Sequence, residues 1–294
     1  MREIVVISGK GGTGKTSLVA SFAALGRGQV LADCDVDAAD LHLVLGPSVQ
    51  RRTRFTGGHY AVIRSADCTG CGLCLECCRF DAVTPACPPD GPLICSIDPI
   101  ACEGCGVCAR VCPTGAIDFL ERTCGEWFVS TTRYGPMVHA RLDVGAENSG
   151  KLVTIVRQEA RRLAGVEGRD LILVDGPPGI GCPVIASITG ASLVLVVTEP
   201  TLSGEHDLER VLDLAAHFRL PAAVCVNKWD LNPAMRERIE RRARDRDAMV
   251  AGRVRYDPAV TAAQVQGKAM VECSNQGAAR DIEATWEGLW EMHG

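Results

Sequence analysis

The chain has 294 residues, enough for one large α/β domain or two smaller ones with ample core. Its net charge of -5 and pI of about 5.7 argue against a general nucleic-acid or anionic-membrane binder, and no apolar run approaches the roughly 18 residues of a membrane span. It opens directly on a strand with no room for a signal peptide, so a cytoplasmic, reducing setting is expected; there, 16 cysteines exceed what packing needs and point to metal binding rather than disulfides.

The apolar run Ile4 to Ile7 predicts a buried first strand, and Leu18 to Ala23 predicts a helix. Between them lies Gly9-Lys10-Gly11-Gly12-Thr13-Gly14-Lys15-Thr16, the complete Walker A spacing in the order strand, loop, helix. Glycines let backbone N–H groups curl around phosphate oxygens, and the helix start, with Ser17 next in line, adds partial positive charge. Lys15 reaches the β- and γ-phosphates and Thr16 ligates Mg²⁺. A glycine-rich βα turn without a ligand is the competing explanation.

Lys10 is a second lysine that an ordinary Walker A loop does not need. With it, the loop resembles the deviant Walker A family of MinD, ParA, Mrp and the nitrogenase iron protein. The resemblance implies an ATP-dependent homodimer with nucleotide at its interface, in which Lys10 acts in trans on the partner's nucleotide.

Gln29 to Asp33 reads as a second buried strand delivering Asp33-Cys34-Asp35-Val36-Asp37 at its carboxyl end, where open parallel sheets bind ligands. In the resembled family the second acid of an Asp-x-Asp here orients the attacking water, a role that maps onto Asp35. Alternatively these acids cap a helix expected over Ala38 to Leu45.

Cys68, Cys71, Cys74 and Cys78 are spaced C-x2-C-x2-C-x3-C, and Cys102, Cys105, Cys108 and Cys112 repeat the spacing before Pro113. This is the bacterial ferredoxin run, found twice; each run has the soft thiolates that saturate a cubane cluster. Zinc also uses C-x2-C pairs, but two runs of four with Gly70, Gly72, Gly104 and Gly106 inside the loops favour iron and sulfide. Resemblance to two-cluster ferredoxins implies that each fourth cysteine crosses over. The expected sets are Cys68, Cys71, Cys74 with Cys112, and Cys102, Cys105, Cys108 with Cys78. Arg79 stands where a proline is expected after Cys78, and the neighbouring Cys77 is a possible substitute for it. Cys87 and Cys95 lie in or near the proline-rich stretch 85–92 and match no run.

Later segments return to nucleotide chemistry. Short strands are expected at Trp127 to Val129 and Met137 to Ala140, with His139 packed or at the surface, then an amphipathic helix over Lys151 to Ala164. Asp170 to Gly179 is a buried strand ending in an acid and a rigid turn. Asp175 resembles the Walker B acid, which holds Mg²⁺ through water, and Gly176 to Gly179 resembles switch II. Cys182 sits where the nitrogenase iron protein carries a bridging cysteine, with Asn148 near the place of its missing partner. A small residue beside the switch is the other explanation. After a strand at Ala191 to Val197 and a helix over Gly204 to Phe218, the strand Ala222 to Val226 delivers Asn227-Lys228-Trp229-Asp230. In the family an asparagine here bonds the adenine amino group, although Asn-Lys-x-Asp is also the guanine-reading pattern. A charge-rich helix is expected over Met235 to Asp247. Asp257 and Pro258 resemble the late loop over the base, and a final helix, Ala278 to Met292, carries acids rather than a membrane-anchoring basic face.

The expected fold is α/β: a mostly parallel P-loop NTPase sheet with helices on both faces, residues 1–64 and 123–294, interrupted at 65–122 by a small α+β bacterial-ferredoxin-like domain. The resemblance to MinD-superfamily ATPases with an inserted ferredoxin domain implies ATP, Mg²⁺ and two [4Fe-4S] clusters. It implies a homodimer that gates electron delivery to, or docking of, a redox or iron–sulfur partner protein. An Mrp-type cluster carrier and a MinD- or ParA-like positioning switch with structural clusters are the alternatives; nucleic acid and a membrane anchor are not expected.

Overall fold

A computed structural model describes residues 1–86, 93–143, 146 and 149–291. Cys87, Asn148 and Met292 therefore lie outside the described residues. In chain order the elements are β1 (Arg2–Ser8), α1 (Lys15–Leu25), β2 (Gln29–Asp33), α2 (Leu41–Leu45), β3 (Ser48–Ile63), α3 (Leu73–Cys77), β4 (Val83–Ala86), β5 (Ile94–Ile97), α4 (Val107–Val111), β6 (Ile117–Thr132), β7 (Gly135–Leu142), α5 (Ser149–Glu167), β8 (Leu171–Pro178), α6 (Cys182–Ile188), β9 (Leu193–Thr198), α7 (Leu202–His217), β10 (Ala222–Asn227), α8 (Pro233–Arg244), β11 (Met249–Val254), α9 (Pro258–Val265), α10 (Met270–Cys273) and α11 (Ala278–Glu291).

One large sheet has the order β11-β10-β9-β1-β8-β2-β7-β6-β3. β1 pairs in parallel with β8 and β9, β10 with β9 and β11, and β2 with β7 and β8. Strands covered on both faces must be apolar throughout. Accordingly Ile4 to Ile7, Leu171 to Val174 and Leu193 to Val197 are buried without interruption. The helices show the matching stripe: α5 buries Leu152, Val156, Ala160 and Leu163, and α1 buries Phe22, whose ring stacks 5.1 Å from Trp286 of α11. Each such large side chain is worth about 1.5–3 kcal/mol. Helix starts are fixed by side chains: Thr201 accepts from Gly204 N, Asn232 from Met235 N and Asp257 from Ala259 N.

The chain divides into two compact units, the first Met1–Thr53, Glu126–Leu142 and Ser149–Gly294, the second Arg54–Gly125 and Asp143–Asn148. The second unit is larger than the expected 65–122. The reason is that β3 and β6 are each 16 residues long, where short strands or none were expected. Within that unit, two five-residue helices, α3 and α4, are each entered through a left-handed glycine, Gly72 and Gly106, with φ of 75° and 72°. β4 and β5 form an antiparallel pair, Val83 opposite Ile97. The unit's buried cluster comprises Ala61, Cys74, Ala82, Val83, Cys95, Cys102 and Ile117. In the first unit, α2 starts at Leu41 rather than at Ala38.

Candidate nucleotide and cluster sites

The phosphate loop joins β1 to α1. Gly14 precedes the helix with φ of 86°, and a Cβ there would stand 2.3 Å from Asn227 Nδ2, so only glycine fits. Asn227, at the end of β10, donates its amide to Thr13 O at 2.7 Å. Gly9 meets α7 closely, since a Cβ would lie 2.3 Å from Asp207 Cβ, whereas Gly11 and Gly12 face open space. Ser17 Oγ accepts from Gln264 Nε2 at 2.8 Å.

Lys15 is the centre of this site. Its ammonium lies 2.6 Å from Asp175 Oδ1, 3.5 Å from Asp35 Oδ2 and 3.5 Å from Thr16 Oγ1. Parallel pairing of β2 with β8 sets Asp33 opposite Asp175, which converges these acids. Burial works against the Lys15 charge, but Asp175 and Asp35 outweigh it and hold its pKa above the ordinary lysine value. Burial, reinforced by Asp175, lifts Asp33 well above the carboxylate range and pushes Asp35 up to about 6 against the pull of Lys15. Thr13 Oγ1, Asp33 Oδ2 and Asp175 Oδ2 are buried without a hydrogen-bond partner. Orphaned oxygens beside a lysine and a Thr hydroxyl fit a Mg²⁺–phosphate group, and Lys15 stands in for its charge.

Lys10 folds back onto its own chain. Its Nζ lies 3.2 Å from Ser203 Oγ and 3.4 Å from Glu199 Oε2. Glu199 also pairs with Lys228, a residue held in the left-handed region at φ of 55°. Beside the loop, a cavity of about 180 Å³ is lined by Gly12, Ser17, Asn227, Tyr256, Asp257 and Gln264, among others. Pro258 is the first residue of α9, and the Asp257 carboxylate caps that helix. Asp230 is also engaged, accepting from Tyr256 N at 2.7 Å.

In the second unit the cysteines gather in two cavities. One is lined by Cys68, Cys71, Cys74 and Cys112; the other by Cys102, Cys105, Cys108 and Cys78. Each thus combines three cysteines of one run with the fourth of the other. Every cysteine among the described residues is a free thiol. Among those residues no three His, Cys, Asp or Glu side chains converge closely enough for a single ion; a cubane presents its irons at separate corners and asks instead for spaced thiolates around a hollow. Gly70 and Gly104 let the loops close in. A Cβ on Gly70 would stand 2.0 Å from Leu93 O, and on Gly104 2.1 Å from His59 O. Hydrogen bonds from Thr114 and nearby backbone N–H groups overcome burial and hold the Cys112 pKa below the usual thiol value, which favours the ligating form.

Sequence reasoning did not find Glu199, Gln264 or Cys95 as members of these sites. Cys95, on β5, lines the first thiol cavity, and Cys77 lines the second. Cys182 begins α6 and is exposed. His139 is packed, its Nε2 2.9 Å from Ser130 Oγ and its ring 4.9 Å from that of Phe128. No helix among the described residues is long and apolar enough to cross a membrane.

A family model described as the CobQ/CobB/MinD/ParA nucleotide binding domain matches residues 4–270. The uncharacterised protein MJ0578 of Methanocaldococcus jannaschii is 33% identical over 233 residues, covering 78% of this chain and 79% of that one. The septum site-determining protein MinD complexed with Mg-ADP, from Pyrococcus horikoshii OT3, has a similar structure, with a TM-score of 0.59 at 18% identity over 100% of this chain and 97% of that chain. The MinC:MinD cell division protein complex of Aquifex aeolicus gives a TM-score of 0.57 at 20% identity over 99% and 96%. At such identities the structural likeness establishes the fold.

Proposed function

Because this chain belongs to the CobQ/CobB/MinD/ParA nucleotide-binding family, we propose that it is a Mg²⁺-dependent ATPase whose nucleotide state governs what a two-cluster iron–sulfur unit docks with or delivers electrons to. The observation that carries the second half is the crossed sorting of eight cysteines, four to each of two hollows. The runs could have been mixed differently; this sorting is the one two-cluster ferredoxins use, which supports the reading. When bound, the clusters supply one-electron chemistry. The chain's part is to hold them with Cys68, Cys71, Cys74 and Cys112, and with Cys102, Cys105, Cys108 and Cys78.

At the phosphate loop, Lys15 would exchange Asp175 and Asp35 for the nucleotide's phosphates, and Thr16 and Asp175, the latter through water, would hold Mg²⁺, which would supply positive charge against those phosphates. Asp35, relieved of Lys15, orients the attacking water. Lys10 leaves Glu199 to reach the nucleotide of a second copy, so hydrolysis requires a homodimer. ATP is favoured over GTP by the Lys10-bearing loop and the acids Asp35 and Asp175, which resemble those of the ATP-using members of the family. The similar structure containing MinC with MinD supports a partner protein for this chain as well.

Anaerobic reconstitution with iron and sulfide tests both halves. The expected product is brown, carries about eight irons per chain, and hydrolyses ATP but not GTP. Partner capture or cluster spectra should differ between ATP-bound and ADP-bound protein; if they are indifferent, the coupling is wrong. One observation favours a second reading, a positioning switch with structural clusters, because Cys74, Cys95 and Cys102 belong to the unit's own core. In that case reducing the clusters leaves ATP turnover and partner binding unchanged.

A further inference from the structure

The two thiol hollows are copies of each other at a spacing of 34 residues in the chain. Ile63, Cys74, Cys112 and Ile117 line the first, and their counterparts Ile97, Cys108, Cys78 and Val83 line the second. The approaches that seat the loops repeat as well, Gly70 on Leu93 O and Gly104 on His59 O. Two residues further along each of these seating strands, side chains return to the same face. There the copies part: the first hollow has Cys95, 5% exposed, and the second has Ala61, 3% exposed.

Cys95 and Cys74 both line the first hollow and belong to the same buried cluster. The second hollow has its own additional thiol, Cys77, but its sulfur is 3.5 Å from the Cys74 carbonyl and donates there. A cysteine that ligates nothing keeps an S–H, a weak donor. Donation to a ligating thiolate draws charge from the iron–sulfur core and makes the added electron easier to accept, the same influence that hydrogen bonds to cluster sulfurs have generally.

Resting on the iron–sulfur reading of this unit, we propose that Cys95 is a positioning and tuning residue whose S–H is a donor to the sulfurs around the first hollow, and that Ala61 leaves the second without such a donor at the matching place. The two clusters are therefore unequal. The one held by Cys68, Cys71, Cys74 and Cys112 has the higher reduction potential and is the resting place of the first electron.

The test is a potentiometric titration with dithionite, followed by electron paramagnetic resonance, on the reconstituted full-length chain. Two separated midpoints are expected. Cys95→Ala should lower the higher midpoint toward the other while leaving iron at about eight per chain. Cys95→Ser, with a better donor, should keep or raise it. Ala61→Cys should raise the lower midpoint and narrow the gap from the other side. Midpoints that ignore both Cys95→Ala and Ala61→Cys overturn the proposal. So does the loss of about half the iron in Cys95→Ala, which would make Cys95 a ligand. If the unsubstituted chain assembles no cubane spectrum, the iron–sulfur reading itself fails, before any variant is compared.

Discussion

The phosphate loop and the thiol hollows are tied into the fold in opposite ways. At the loop, the lysines are held by carboxylates of their own chain: Lys15 rests on Asp175 and Lys10 on Glu199. In the second unit two of the prospective ligands, Cys74 and Cys102, belong to the core itself, with Cys95 beside them among its few buried side chains. A lysine already paired within its own chain can trade that partner for a phosphate and take it back. A thiol built into the core ties what it ligates to the fold. That difference suits a nucleotide that turns over and clusters that stay.

The sharpest break of this contrast is removal of iron. A unit of this size supplies no more than about 3–5 kcal/mol from an ordinary core, and this core is short of large apolar groups. Chelation should therefore release residues 54–125 to rapid hydrogen exchange and proteolysis while the first unit stays protected; equal protection in both would end the contrast. Lys15→Ala attacks the phosphate loop. Removing one partner from a buried pair costs about 3–5 kcal/mol, so the melting temperature should fall even without nucleotide, and ATP hydrolysis should drop by about 10²–10³-fold or more.

Acid acts on the first unit through His139. Burial, with His42 adding to it, lowers the His139 pKa to about 4. Above the unfolded value of roughly 6.5 the ring is neutral in both states. As pH falls toward 4 the unfolded chain takes a proton that the folded one refuses, so stability is lost over that window, by about 3 kcal/mol at the limit. Denaturant midpoints at pH 7 and pH 4.5 should diverge less in His139→Gln than in the unsubstituted chain. The smallest effect belongs to Glu199→Gln. A partly exposed tether is worth up to about 1 kcal/mol, so freeing Lys10 and Lys228 should tighten ATP binding about two- to fivefold, read by calorimetry.

Much of this was legible in the sequence because it is local. The phosphate loop declares itself in consecutive residues, and β1, β8, β9 and β10 appear as unbroken apolar runs because both their faces are covered. The long strand β3 was not legible. It is mostly exposed and carries Arg51, Arg52, Arg54 and the pair Gly57-Gly58, which break any alternation. Proline and cysteine concealed β4 and β5. The tether of Lys10 to Glu199 joins residues far apart in the chain and follows from the sheet order. Cys95 escaped because no spacing rule selects it; only the 34-residue correspondence with Ala61 gives it meaning.

That correspondence begins at His59, not at the first cysteine, and so the seat of the second thiol loop is supplied by β3, a strand whose first residues belong to the other unit. A fragment trimmed to 65–122 would keep all eight motif cysteines yet strand one loop without its floor. Anyone grafting this unit into a foreign host should cut upstream of the arginines in that strand and not at the cysteines' edge.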